Sequence, residues 1–261
     1  RARGVEVFAD QYPYEASSTS LSGALVPRWA QAGGAEALRR RLADPPTRAR
    51  LLEEIRENIR RRGGAASLVI ASFAADRTLE GQSLEAIAAR RAEAPEAAAL
   101  DLVERGDASV VSFNMSETDI ELIMRRPYTM TSSDGGLVAR GEGRPHPRNN
   151  GAFARKLARY VRERSVVPLE FAVRSMTSLP ALVFGIRDRG VVREGAWADL
   201  VVFDPAAVVD RATYEDPHRL AEGMHYVLVN GRLAVDAGAF TGVLAGRVLA
   251  RDGQEAEPPS R

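Results

Sequence analysis

Hydrophobic positions along the chain fall into two registers. Between residues 35 and 62, Leu38, Leu42, Leu51, Leu52, Ile55 and Ile59 recur mainly at three- and four-residue spacings, which predicts helix. Asp44-Pro45-Pro46 divides that stretch into two helices, and Gly63-Gly64 closes the second. Further helices are predicted from Ser83, from Pro95 to Gly106, from the Ser116 cap to Met124, over 152–163, and over 169–177 with an end near Pro180. Short apolar runs bounded by turn residues predict strands at 5–9, 67–73, 110–115, 128–133, 200–203, 226–229 and 232–235. Asn230-Gly231 joins the last two as a type I′ hairpin. Residues 17–20 read as a polar turn, 137–150 as a loop without period, and 254–261 as a frayed polar tail. Helices alternating with strands, then strands alone, predict an α/β chain ending in a small β unit.

Composition narrows the possibilities. The chain has 261 residues, 45% of them apolar and 27% charged, a balance that builds a core and excludes wholesale disorder. With 36 basic against 35 acidic side chains the net charge is +1, so no general attraction to nucleic acid or an anionic membrane is expected. The basic side is almost all arginine, Lys156 being the sole lysine, which reads as codon bias rather than a phosphate site. Cysteine is absent, which excludes disulfides, thiolate nucleophiles and cysteine metal ligands from this chain. No apolar run approaches the roughly 20 residues that span a bilayer, and a cytosolic address is the default expectation. The opening Arg1-Ala2-Arg3-Gly4 runs straight into the first predicted strand, like the end of an αβ unit, so a chain beginning mid-unit is expected.

Candidate chemistry gathers at strand ends. Asp134 follows a predicted strand and precedes Gly135-Gly136, where α/β enzymes place catalytic groups; a strand-ending Asx turn has the same pattern. His146, between Arg144 and Arg148 on the long loop, suits an anion clamp or a solvated loop equally. Tyr12, Tyr14, Ser17 and Ser18 follow the first strand and could bind substrate oxygens or pack and cap locally. His218 and His225 read as solvated surface residues, and three scattered histidines cannot by themselves cage a metal. Gly-rich phosphate loops and the G-x-S-x-G elbow are missing.

Longer strings carry a resemblance. Residues 9–19, A-D-Q-Y-P-Y-E-A-S-S-T, resemble the D-x-Y-P-Y-x-A-S-S-T segment of zinc-dependent N-acyl-D-amino-acid deacylases, the D-aminoacylases of the amidohydrolase superfamily. Phe113 to Glu117 is similar to their F-x-M-S-E, Ser133-Asp134-Gly135 to S-D-G, His146-Pro147-Arg148 to H-P-R, and 172–181 to A-V-R-K-M-T-x-L-P-A. Asp188-Arg189-Gly190, A-D-L-V-V-F-D-P at 198–205 and Val229-Asn230-Gly231 continue the series in order.

The resemblance implies the C-terminal part of a metal-dependent (β/α)8 amidohydrolase barrel with an inserted α/β subdomain and a small C-terminal β subdomain. Residues 1–16 would be a barrel strand and the Y-P-Y loop, 17–115 an inserted subdomain over the active site, 116–190 the last barrel strand and helices, 191–252 the β subdomain, and 253–261 a flexible tail. It further implies hydrolysis of N-acyl-D-amino acids by metal-activated water, with Asp134 as metal ligand and proton carrier. Tyr12, Ser18, Met115, His146 and Arg148 would bind the small-molecule substrate. The zinc cofactor's main ligands, an H-x-H pair, a cysteine and later histidines, would lie upstream in an N-terminal half of the same protein, and this chain alone is expected to be inactive. Other amides (an N-acyl-D-glutamate or D-aspartate derivative, a dipeptide, a cyclic amide) and a non-catalytic half that pairs with a separate metal-binding chain stay open.

Overall fold

The computed structural model describes residues 4–249; residues 1–3 and the 254–261 tail lie outside the described residues. Strand β1 (Ala9–Gln11) runs parallel to β5 (Thr129–Thr131), with Ala9 opposite Thr129 and Gln11 opposite Thr131. Parallel neighbours require a long crossover, and here the crossover is a whole α/β unit. All three residues of β5 are buried, whereas Val5 and Val7 are exposed. The strand expected at 5–9 therefore begins only at Ala9, where β5 supplies the ladder.

The crossover unit is built on an antiparallel sheet ordered β2 (Ala16–Ser20), β4 (Ser109–Phe113), β3 (Leu68–Ser72). Residues 17–20, expected as a turn, are thus strand: Ser18 pairs with Val111 and Thr19 with Val110. Serine and threonine give no apolar alternation, and the ladder to a partner far along the chain overrides their weak strand preference. Ser20 then caps α1 (Leu21–Leu25), its hydroxyl accepting from the Gly23 N–H at 3.0 Å. Helices α2 (Arg28–Gln31), α3 (Gly34–Leu42), α4 (Pro45–Arg61), α5 (Leu84–Arg90) and α6 (Pro95–Glu104) cover one face of the sheet. In α4 the Asp44 carboxylate caps Thr47, Pro45 and Pro46 occupy the first turn, and Leu51, Ile55 and Ile59 line up four apart into the core.

After β4, Ser116 caps α7 (Glu117–Met124) and β5 follows. Helix α8 (Arg148–Arg155) begins four residues before the expected 152, because Pro147 stands immediately ahead of its first turn, and it continues as a π-helix over Lys156–Glu163. Helices α9 (Leu169–Met176) and α10 (Ser178–Phe184) come next, and Pro180 sits inside the first turn of α10, where it is tolerated, instead of ending a helix. A second core joins Ile120, Met124, Leu157, Tyr160, Val166, Ala172 and Val208. The chain finishes in an antiparallel sheet, β6 (Leu200–Phe203), β7 (Met224–Val229), β8 (Arg232–Asp236) and β9 (Ala239–Phe240). Asn230 and Gly231 both take positive φ, 50° and 76°, as a type I′ turn demands.

Candidate active site

The backbone past β5 turns sharply at Asp134, whose φ of +46° lies in the left-handed region that aspartate tolerates better than most residues. Gly135 is required next, since a Cβ there would come 2.9 Å from the Asn149 Cα at the start of α8. This close approach sets Asp134 beside the first residue of that helix. Asp134 Oδ2 forms an ion pair with Arg148 Nη2 at 2.8 Å, with the Asp134 side chain 64% exposed and that of Arg148 7%. The guanidinium lies over the Tyr12 ring, 4.4 Å from its centroid. Its Nε and Nη1 are buried and find no hydrogen-bond partner among the described residues. Buried donors left unmade are costly, and Arg148 carries that cost at the wall of the cleft.

His146 is buried, not solvated. Nε2 lies 2.9 Å from Ala16 O, and Nδ1 lies 3.0 Å from the Arg148 backbone nitrogen. A carbonyl can only accept and an amide N–H only donate, so the imidazole carries its proton on Nε2. Burial pushes its pKa down to about 4, helped by the charges of Arg148 and Arg155 and opposed by the bond to Ala16. Both ring nitrogens are thus engaged within the protein, while the ring itself lines the cleft. Its ring stands edge-on to Tyr14 at 5.0 Å and Tyr214 at 5.3 Å.

Behind this layer, Arg155 stacks on Tyr14 at 4.6 Å, donates from Nε to Pro13 O at 2.8 Å and pairs with Asp210 at 3.3 Å. Burial raises the pKa of Tyr12, against the lowering effect of Arg148. A cleft of about 210 Å³ opens in front of Asp134 and Arg148, with Ser18, Ser72, Ser109 and Glu142 on its walls. The structure thus brings Tyr12, Ser18, Asp134, His146 and Arg148 together. Met115 is not among the cleft's lining residues; its side chain is exposed and its N–H donates to Glu15 O at 3.0 Å. His218, expected in solvent, is half-buried and reaches Gly143 O at 3.2 Å, while His225 is exposed as expected. Sequence reasoning missed Ser72, Ser109, Arg155, Asp210 and Tyr214, which converge only through the fold and carry no local signal.

A buried arginine thus pairs with a strand-end carboxylate at the wall of a cleft in an α/β chain. The profile of the "Amidohydrolase family" matches residues 5–235, and the chain belongs to that family. It is 45% identical over 174 residues to the D-aminoacylase of Alcaligenes xylosoxydans xylosoxydans, covering 66% of this chain and 34% of that one. To the N-acyl-D-glutamate deacylase of the same organism it is 38% identical over 259 residues, 99% of this chain and 44% of the relative. The crystal structure of a D-aminoacylase superposes with a TM-score of 0.74 at 36% identity, over 96% of this chain and 44% of that chain. An N-acyl-D-glutamate deacylase from Bordetella bronchiseptica, complexed with zinc and a phosphonate mimic of the tetrahedral intermediate, superposes at 0.68, with 36% identity over 90% of this chain and 40% of that chain. The chain therefore spans less than half the length of these relatives.

The described residues do not by themselves fit a zinc site. No group of three or more His, Cys, Asp or Glu among them could hold a metal, whereas catalytic zinc takes three protein ligands. No helix among the described residues is long and apolar enough to cross a membrane.

Proposed function

We propose that this chain forms the substrate-binding face of an N-acyl-D-amino-acid deacylase, hydrolysing the N-acyl amide. The observation that carries the reading is Arg148: a guanidinium in the wall of the cleft with its Nη2 paired to the Asp134 carboxylate. The fixed cationic charge of Arg148 at the cleft wall attracts a carboxylate, and the α-carboxylate of an N-acyl amino acid supplies one. Tyr12 backs the guanidinium, and Ser18, on the opposite wall, is a donor for the acyl oxygen. Asp134, open to the cleft, takes the proton of the attacking water and passes it to the leaving amine. The unit carrying β2 and β3 covers the cleft through Ser18 and Ser72. Zinc is the proposed cofactor; its principal ligands would come from the length that the relatives have beyond this chain, with Asp134 the nearest ligand offered here.

The test is kinetic, on the full-length protein with N-acetyl-D-amino acids. Arg148→Met should raise KM on the order of tenfold to a hundredfold, the worth of a charged hydrogen-bond pair. Asp134→Asn should lower kcat by about a hundredfold or more at nearly unchanged KM. An unchanged KM in the arginine variant overturns the reading.

A further inference from the structure

We infer that His146 is a positioning residue: a neutral imidazole that fixes the Arg148 guanidinium against the wall carrying Ser18, without touching substrate itself. The inference rests on the deacylase reading for what Arg148 binds. Arg148 is the first residue of α8, so its N–H is one of the donors that a helix leaves without an internal partner. His146 Nδ1 satisfies it at 3.0 Å. From the other side of the same ring, Nε2–H holds Ala16 O at 2.9 Å, at the first residue of β2 and two residues before Ser18. One side chain thus ties the start of the arginine's helix to the start of the serine's strand.

The ring cannot drift, because Tyr12, Tyr14 and Tyr214 surround it edge-on with centroids at 6.0, 5.0 and 5.3 Å. The Arg148 side chain itself is paired with Asp134 and stacked on the Tyr12 ring. A guanidinium recognises a carboxylate with directional hydrogen bonds only when it is held in place. Loss of the imidazole bonds should therefore weaken carboxylate recognition selectively.

The experiment uses the full-length protein with an N-acetyl-D-amino acid and its primary-amide counterpart, which lacks the carboxylate. His146→Phe keeps a ring among the tyrosines and removes both hydrogen bonds. His146→Gln reaches Ala16 but offers nothing to Arg148, and His146→Asn places an acceptor where Nδ1 stood. Phe and Gln should raise KM for the acid about tenfold and shrink the preference for acid over amide by the same factor, the worth of one such bond. Asn should recover most of that preference, and bound zinc per chain should stay at the wild-type level in all three. Equal losses on acid and amide, an asparagine variant no better than glutamine, or loss of zinc would each overturn the inference. If Arg148→Met also leaves the acid preference intact, the deacylase reading fails with it; if only the His146 variants leave it intact, the positioning role alone fails. Should the phenylalanine variant not fold, the asparagine–glutamine comparison still decides.

Discussion

Lys156 holds the only ammonium side chain in the protein, and it is 2% exposed. Nζ donates to Thr131 Oγ1 at 2.7 Å and Ser175 Oγ at 2.8 Å, two hydroxyls that also bond each other at 2.9 Å. Neither contact is a carboxylate, so burial dominates and pushes its pKa down to about 8 from the usual 10.5. The unfolded chain then holds a proton that the folded chain has released between about pH 8 and 10.5. Stability should rise with pH across that window, and below pH 8 the cost of the buried charge is fully present. Lys156→Met removes the charge and leaves Thr131 and Ser175 bonded to each other. It should stabilise the protein at pH 7 by about 2 kcal/mol and flatten the rise between pH 8 and 10. Urea midpoints at pH 7 and 9.5 check both effects; a less stable variant at pH 7 refutes the argument.

At the scale of elements, α8 presents Arg148, Gly151 and Arg155 along one stripe, three and four residues apart. Arg148 faces the cleft, Arg155 braces Tyr14, and Gly151 lets the helix approach between them. A Cβ at Gly151 would stand 2.5 Å from the Tyr14 hydroxyl and 3.1 Å from Asp210 Cβ. Gly151→Ala gains about 1 kcal/mol of helix propensity but loses more to overpacking, about 1–3 kcal/mol. The helix must then move and carry Arg148 with it, so melting temperature should fall and KM should rise. The Tyr14 hydroxyl is buried and without a hydrogen-bond partner among the described residues, so Tyr14→Phe in the same chain should restore both values. Two additive defects in the double variant would show that the contact is not the cause.

The same stripe marks what was legible beforehand. The helix break at Asp44-Pro45-Pro46, the spacing of Leu51, Ile55 and Ile59, the Asn230-Gly231 turn and the Asp134-Gly135-Gly136 strand end are all set by neighbours in sequence, and each was readable. Strand β2 was not, because its serines gain their ladder only from Val110 and Val111. The burial of His146 was not either, since Ala16, Tyr14 and Tyr214 reach it from distant segments.

Across the whole molecule, the apolar interior divides at the cleft. Among the described residues, one core draws on residues between Leu21 and Val110, the other on residues between Ile120 and Met224. Between them lies a thin seam of Ala16, Ala71 and Val111 with Tyr214 packed on it. Sites formed between two such bodies take their walls from both, and here Ser18 and Ser72 face Asp134 and Arg148 across the opening. Small alanine contacts bury little area, so the two bodies should unfold as separate cooperative units. The protein's two tryptophans make this measurable. Trp29 packs against the first core and donates to Glu54 at 2.9 Å, while Trp197 lies beyond the second, under Arg189 at 4.8 Å. Urea unfolding of a Trp197→Phe chain follows the first body through Trp29, and a Trp29→Phe chain follows the rest through Trp197. Ile55→Ala, a cavity at a fully buried position of the first core, should cost about 3 kcal/mol. That cost should appear only in the Trp29 transition, moving its midpoint to lower urea and leaving the Trp197 midpoint in place. If both midpoints move together, the seam transmits the full cooperativity of the fold and the cleft sits inside a single folding unit.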